Sequence, residues 1–448
     1  MLAVLLFCFA PRAHAQNGDH ALIPANVVTA DIQAGIENYI EEEAARGGGY
    51  FKFSSDGKEY RFQLVRVHTE YLANLGPKRH FACVDLVNTD GNVYDVDFFL
   101  DGDPGKMTVT ETTLHKFNGI PYYAWEQNSD GTWERVSIEG ASPKLLGVIH
   151  GEDEFDFIYR IKLPAFKENA RLWIPYPKKD SFQNVTLTSV HPSFKYQLLH
   201  EKEHGNQILY FELAPDASKQ TIDVRYHVTR REKSAYQPLE SDWEKNIQAN
   251  RLLPTDGQFK KIAEEVVEGK KGALVQARAL YDHVLDHMRY IKHGNGWGEG
   301  NAQYACDAAK GNCTDFHSYF ISLARAVGIP ARFAIGAAIP SERNDGGTDG
   351  YHCWAEFYAQ GKWWPVDISE ADKYTSLSTY YFGHNPANRI EFSRGRDLVV
   401  DPGPASGPIN FLADPLLEVG GKPAKATRQF LFTRKNNNQK ILQTQPQL

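Results

Sequence analysis

The chain reads Gly311-Asn312-Cys313-Thr314-Asp315-Phe316-His317 at the start of a predicted helix. The apolar residues of this helix lie on one face: Tyr319, Phe320, Leu323, Ala324 and Val327. Gly328-Ile329-Pro330 ends the helix. Cys313 therefore lies in the first turn, near the positive end of the helix dipole. That position favours the thiolate, which is the form that attacks a carbonyl carbon.

Two predicted strands follow this helix, and the turn between them sets their register. If Gln360 and Gly361 are the two central turn residues, Trp354 lies opposite Asp367, and His352 shares the face of Asp367. The diagonal between His352 and Asp367 is then about 7–8 Å between backbones, which lets the two side chains meet. A three-residue loop would turn Asp367 to the other face. An even-length turn therefore predicts a His352–Asp367 pair.

A thiol at a helix start, an imidazole and a carboxylate are together the groups needed for nucleophilic acyl transfer. Four segments in this order resemble the transglutaminase-like superfamily in its bacterial extracytoplasmic branch: 311–317, 323–332, His352-Cys353-Trp354-Ala355-Glu356, and Trp364-Pro365-Val366-Asp367. The resemblance covers roughly residues 240 to 410. It implies a papain-like domain with Cys313 as nucleophile, His352 as general base and acid, and Asp367 as the residue that orients His352.

Other interpretations of these side chains stay open. Cys306 lies seven residues before Cys313, a spacing that permits a disulfide in an exported protein, and a regulatory disulfide through Cys306 or Cys353 is a further alternative. Cys313, His317, His352 and Cys353 also form a conceivable zinc set. Paired Cys-x-x-Cys or His-x-x-x-His spacing is missing, so we predict neither a metal nor a cofactor.

The sequence offers two sources of oxyanion donors. The backbone N–H of Cys313 is one candidate, because it opens a helix. The Gly-rich loop 293–300 supplies a second, through the Trp297 indole or a backbone amide. Trp297 and Trp354 are thus candidates for oxyanion or substrate contact, with core filling as the alternative. Asp315 is interpreted as a first-turn helix stabiliser.

Two β-rich segments precede this domain. Residues 28–128 read as one helix and an antiparallel meander, which resembles the cystatin-like fold, but the inhibitory Gln-x-Val-x-Gly loop is absent. Residues 146–232 carry short strands at regular spacing, which predicts a β-sandwich. We place the catalytic domain at 233–415 and a C-terminal tail at 416–448. The predicted fold class is therefore α+β, with three domains.

Composition excludes several classes of protein. The chain has 448 residues with 42% hydrophobic and 23% charged residues, which suits two to four folded domains. A net charge of -7 argues against a nucleic-acid partner. No apolar run reaches the ~18–20 residues of a membrane span. Residues 1–15 end in Ala13-His14-Ala15 and read as a signal peptide, which predicts a periplasmic or secreted protein.

The sequence therefore predicts an exported cysteine acyl-transfer enzyme that hydrolyses amide bonds in a protein or peptide, such as a cell-wall peptide. Water is the expected acyl acceptor, because the segment 341–350 before the triad histidine is polar and Gly-rich and makes a poor wall for a dry channel. The alternatives are a protein-glutamine transglutaminase and a non-catalytic binding protein with a vestigial triad.

Overall fold

The computed structural model describes residues 27–55, 58–69, 72–76, 78–127, 133–137, 147–238, 243–341, 343–348, 350–374 and 377–435. The predicted signal peptide (1–15) and residues 436–448 of the predicted tail lie outside the described residues. Within this part of the chain, no helix is both long enough and apolar enough to cross a membrane.

The N-terminal part is one helix on an antiparallel sheet. Its elements are α1 (Thr29–Arg46), β1 (Phe51–Ser55), β2 (Lys58–Val67), β3 (Ala73–Gly76), β4 (Arg79–Asn88), β5 (Val93–Asp101), β6 (Thr108–Phe117), β7 (Ile120–Pro121) and a separate pair, β8 (Tyr123–Gln127) with β9 (Trp133–Ser137). The sheet order is β1-β2-β4-β5-β6-β7, and β3 pairs with β4. Helix α1 buries Ile32, Ile36 and Ile40 against one face, because residues four apart share a side of a helix.

The middle part supplies strands to two five-stranded sheets. These strands are β10 (Glu152–Lys162), β11 (Ala170–Tyr176), β12 (Gln183–His191), β13 (Gln197–His200), β14 (Gln207–Leu213) and β15 (Thr221–Arg231). Buried side chains from both sheets, such as Phe157 of β10 and Leu172 of β11, belong to one hydrophobic core. Short strands here agree with the strand spacing in the sequence, and β10 alternates buried with more exposed side chains, since period-2 burial marks a strand with one face on a core.

The C-terminal part combines helices with a four-stranded sheet. Its elements are α2 (Gln258–Val267), α3 (Ala273–His287), β16 (Arg289–Tyr290), α4 (Ala302–Ala308), β17 (Lys310–Gly311), α5 (Cys313–Ala326), β18 (Ala331–Ala338), β19 (Asp345–Gly347), β20 (His352–Ala359), β21 (Lys362–Val366), α6 (Ile368–Lys373) and β22 (Arg389–Arg394), followed by β23 (Leu416–Val419), β24 (Lys422–Ala424) and β25 (Thr427–Arg434). The sheet order is β21-β20-β18-β22. Helix α5 is buried from Cys313 to Arg325, so the nucleophile candidate starts a central helix.

The last strands correct the predicted boundaries. Residues 416–434, which the sequence suggested as part of a tail, form three strands that complete the two middle sheets: β25 pairs with β10, and β23 pairs with β11. Strand β19 extends the first of these sheets beyond β25. The middle unit is therefore built from distant parts of the chain. Sequence periodicity shows that a segment is a strand, but it does not show which partner the strand pairs with.

The N-terminal sheet contacts the C-terminal part directly. Arg278 of α3 places a guanidinium nitrogen 2.8 Å from a carboxylate oxygen of Asp85. The Lys362 ammonium, at the tip of the β20–β21 hairpin, donates to the backbone carbonyl of Thr89 over 2.6 Å. These contacts connect the N-terminal sheet to the helix and the hairpin that border the candidate site.

Candidate functional site

Cys313 is held by a capped helix start. The Asn312 side chain accepts from the backbone N–H of Thr314 over 2.9 Å, and the Asp315 carboxylate accepts from the N–H of Asn312 over 2.9 Å. This reciprocal pair is a capping box, and Asn-x-x-Asp encodes it locally. Cys313 is the first helical residue, as the sequence predicts.

The hairpin has the register derived from the sequence. Ala359 pairs with Lys362, and Ala355 pairs with Val366. Gln360 and Gly361 both have positive φ, 53° and 77°, which matches a two-residue turn whose twist suits antiparallel strands.

This even-length turn brings the predicted pair together. His352 Nε2 lies 2.6 Å from Asp367 Oδ2. The other Asp367 oxygen accepts from the Ser369 hydroxyl over 3.1 Å and from the Glu370 backbone N–H over 3.2 Å. Asp367 is fully buried, yet its pKa is lowered, because the attraction of His352 and of neighbouring groups outweighs the cost of burial. The carboxylate is therefore charged and fixed beside the imidazole.

The Cys313 thiol interacts with the Cys353 thiol and with the His352 ring. Burial by itself would raise the pKa of Cys313, but its interactions with Cys353 and His352, and the positive charge of His352, lower it well below its ordinary value. For His352, burial favours the neutral ring, and Asp367 reverses this effect and raises the pKa to about 9. The arrangement therefore stabilises a thiolate–imidazolium pair at neutral pH.

His317 has a structural position that the sequence does not reveal. Its Nδ1 donates to the Cys313 carbonyl over 2.7 Å, and its Nε2 accepts from the Ile368 backbone N–H over 3.0 Å. Both ring nitrogens are thus engaged, and burial lowers the pKa of His317, so the ring is neutral. His317 connects the start of α5 to the residue after Asp367 and is a poor candidate for the zinc set considered from sequence.

Asp315 anchors the Gly-rich loop beside Cys313. Its carboxylate accepts from the backbone N–H groups of Gly298 over 2.8 Å and Gly300 over 3.2 Å. Burial raises the pKa of Asp315 to about 6, although these backbone hydrogen bonds oppose the rise. Asp315 therefore stabilises the helix start, as the sequence predicts, and also binds the Gly-rich loop and holds it against that helix start.

The two tryptophan candidates have different environments. Trp297 is half-buried on the anchored loop. Trp354 is fully buried, its ring centroid lies 6.3 Å from that of His352, and no described residue accepts a hydrogen bond from its indole N–H. Trp363 and Trp364 are buried like Trp354, with the Arg332 guanidinium 3.9 Å from the Trp363 ring centroid and the Trp364 N–H donating to the Ala359 carbonyl.

Tyr351 also interacts with Cys313, which the sequence analysis did not predict. Because Tyr351 directly precedes His352, its position in the sequence could have suggested a place beside the site. Its hydroxyl accepts from the Asn312 amide over 3.1 Å and lies 3.5 Å from the Gly298 carbonyl. Burial, and then the negative charge of Cys313, raise the pKa of Tyr351. The structure does not join Cys306 to Cys313, because the Cys306 thiol contacts the Tyr319 hydroxyl at 3.7 Å.

Comparison with known proteins gives one family. The model of the transglutaminase-like superfamily matches residues 260–368, a range that contains Cys313, His352 and Asp367. An uncharacterized protein of Haemophilus influenzae is 27% identical over 320 residues, which cover 60% of this chain and 86% of that protein.

Two solved structures are also similar. One, from Cytophaga hutchinsonii and named a "putative cysteine protease", has 15% identity and a TM-score of 0.44, and the match covers 63% of this chain and 98% of that chain. The other is the periplasmic domain of TgpA from Pseudomonas aeruginosa, with 15% identity, a TM-score of 0.28 and coverage of 55% and 99%. The family model thus confirms the resemblance seen in the sequence motifs: residues 260–368 are similar to the transglutaminase-like superfamily.

Proposed function

We propose that the chain is an exported cysteine acyl-transfer enzyme that hydrolyses amide bonds of a peptide or protein, with Cys313, His352 and Asp367 as its triad. One observation carries this proposal. The His352 ring is 2.6 Å from the Asp367 carboxylate, and the same ring lowers the pKa of the Cys313 thiol at a helix N-terminus. A thiolate, a proton carrier and an orienting carboxylate in contact are what acyl transfer requires.

The proposed reaction has two steps. The Cys313 thiolate attacks the substrate carbonyl carbon, and protonated His352 gives its proton to the departing amine, which leaves a thioester on Cys313. Neutral His352 then takes a proton from water, the resulting hydroxide attacks the thioester, and the acid product leaves as the thiolate is restored. Asp367 keeps the ring in the tautomer that faces the thiol throughout.

The oxyanion would be bound at the start of α5. Hydrogen bonds within the described residues account for the N–H groups of Asn312, Thr314 and Asp315, and none is assigned to the N–H of Cys313. We assign this N–H as one donor. Because Asp315 holds the Gly-rich loop beside it, Trp297 or an amide of that loop is the candidate for the second donor, whereas the full burial of Trp354 favours the core-filling alternative for that residue.

Two features support water as the acyl acceptor. Trp363 and Trp364, which could have lined an apolar channel for an amine, are packed into the core. The polar segment before His352 contributes β19 to the edge of a sheet, where Gly346 pairs with Phe432. Neither arrangement supplies the dry second entrance that protects a thioester from water.

The test of this proposal measures the fate of the acyl group. The full chain is given an acyl peptide with millimolar amine in water, and acid and amide products are quantified by mass spectrometry. We expect mostly acid. Predominant amide would favour the transglutaminase alternative. Product formation by neither route, with an unreactive Cys313, would favour a binding protein with a vestigial triad.

The preceding parts are proposed to position the substrate. We assign residues 28–128 to a cystatin-like domain and 146–232, completed by β23 to β25, to a β-sandwich. Neither contributes to the Cys313 site through the contacts described above, so a scaffold or binding role fits them best. With residues 1–15 as a signal peptide, the proposed location is periplasmic or secreted, and the proposed partner is a peptide or protein, including cell-wall peptide.

We expect a bell-shaped pH dependence of kcat/KM with its alkaline limb near pH 9. The active form needs Cys313 deprotonated and His352 protonated, and the pKa of His352 is raised to about 9. The acid limb should lie well below the ordinary thiol pKa, because that of Cys313 is lowered. Thiolate absorbance, compared with that of Cys313→Ser, checks the assignment. An alkaline limb below neutral pH would contradict it.

A further inference from the structure

The N-terminal sheet carries a polar side-chain cluster on the face away from α1. Cys83 of β4 pairs directly with Asp97 of β5, and Asp97 pairs with Thr113 of β6. His115 is the unpaired residue of β6 at the register shift between Asp95 and Val96, and its Nδ1 lies 3.4 Å from Asp97 Oδ1, so its side chain reaches the same face of the sheet. Because these three strands are adjacent, Cys83, Asp97 and His115 offer sulfur, oxygen and nitrogen atoms that all lie within 4.8 Å of one another.

The cluster is mostly buried. Cys83 and Asp97 are buried, while the His115 side chain is 18% exposed and provides a path from solvent. Nearby Asp85 pairs with Arg278 of α3, and Asp95 pairs with Lys116 over 2.6 Å.

Tyr123 holds two of the three side chains in place. Its hydroxyl donates to Asp97 Oδ2 over 2.8 Å, and its ring stacks on the His115 ring with centroids 4.6 Å apart and planes 16° apart. The buried Nδ1 of His115 has no hydrogen bond among the described residues, and it lies 3.4 Å from Asp97 Oδ1. In metal sites, residues that do not bind the ion themselves hold the ligand side chains in position. Tyr123 contacts Asp97 and His115 in this way and leaves the His115 ring beside the carboxylate and the thiol.

We propose that Cys83, Asp97 and His115 bind one divalent transition-metal ion of the zinc class. Thiolate and imidazole favour zinc and similar ions over calcium or magnesium, which take oxygen ligands. Three protein ligands leave the fourth position of a tetrahedral site to water. This site is separate from Cys313, and its existence does not depend on the proposed hydrolase activity.

Binding would replace one proton. Cys83 pairs directly with Asp97 across the strands, and its sulfur lies within 4.8 Å of the Asp97 carboxylate oxygen, so the two atoms already face each other. When the ion binds, the S–H bond breaks, a metal–sulfur bond forms and the proton leaves to solvent. The ion would then connect three neighbouring strands whose shared face is joined to α3 through Asp85. Its expected effect is to stabilise the N-terminal sheet on the C-terminal part.

Cobalt titration of the full chain tests this site. Cys313→Ala is the background, because it removes the reactive thiol as a competing ligand. We expect one equivalent of Co²⁺ to give a sulfur-to-cobalt charge-transfer band, and Zn²⁺ to displace it. Adding Cys83→Ser should abolish the band. His115→Ala should weaken binding by more than the roughly 10- to 100-fold that loss of an outer contact costs, and Tyr123→Phe by about that amount.

His227→Ala is the matched control. His227 also lies on a strand and contacts carboxylates, 2.9 Å from Asp156 and 3.4 Å from Glu154, but its ion-pair partners do not include a cysteine. It should leave cobalt binding unchanged. Retention of the band in the Cys83 variant, or equal affinities of the His115 and His227 variants, would overturn the proposal. If circular dichroism shows that Cys83→Ser does not fold, the cobalt affinities of the His115 and His227 variants decide whether the site exists. His115→Ala should fold, because the His115 side chain is partly exposed.

Discussion

Replacement of Cys313 by alanine is expected to lower kcat/KM by about 10⁶-fold, to the level of residual binding catalysis. The reason is that Cys313 supplies the atom that forms the acyl intermediate, and among the described cysteines it is the one whose interaction raises the pKa of His352. The measurement is steady-state hydrolysis of an acyl peptide, with a burst assay on the parent chain to count active sites.

Cys306→Ala is the matched control for this change. Cys306 is half-buried, its thiol contacts Tyr319, and burial raises its pKa, so it should be unreactive. Limited iodoacetamide at neutral pH should label Cys313 ahead of Cys83, Cys306 and Cys353. Activity that survives in the Cys313 variant, or labelling that favours another thiol, would remove Cys313 from the proposed role.

Asp367→Asn is expected to lower turnover by about 10³- to 10⁴-fold while the chain stays folded. An amide can donate to His352 Nε2 and so favour the wrong tautomer, and it removes the charge that raises the pKa of His352. The fold should survive, because Asp367 also caps α6 by accepting from Glu370, and asparagine caps helices equally well.

Two readouts separate this effect from general damage. The alkaline limb of the pH profile should move below pH 9 in the Asp367 variant, because less negative charge faces His352. Asp307→Asn is the control; this exposed carboxylate accepts from Gln303 within α4 and should change neither turnover nor the pH limb. An unchanged limb in the Asp367 variant would show that Asp367 acts on packing rather than on the imidazole.

The sequence predicts the local features of the candidate site well. Cys313 at the first turn follows from the apolar face of the helix and from the Gly328-Ile329-Pro330 stop, because helical periodicity relates residues only a few positions apart. The His352–Asp367 pair follows from strand alternation and a two-residue turn, which together determine the facing side chains. Both are consequences of backbone geometry over a few residues.

Contacts between distant segments were not predictable in this way. Asp315 reads as a helix stabiliser, but packing also brings the Gly298 and Gly300 amides to it. His317 reads as a residue one turn after Cys313, and its contact with Ile368 depends on how α5 meets the strand that ends at Asp367. Residues 416–434 read as a tail, because nothing in their spacing names β10 and β11 as partners.

The sequence by itself determined a helix that begins at Cys313 and a hairpin that places His352 beside Asp367, because caps, turns and strand alternation act over short separations. Only the tertiary structure decided that the thiol and the imidazole meet, since α5 and β20 are brought together by the burial of their apolar faces. The same holds for Cys83, Asp97 and His115, which show no ligand spacing in sequence and converge because three antiparallel strands align them.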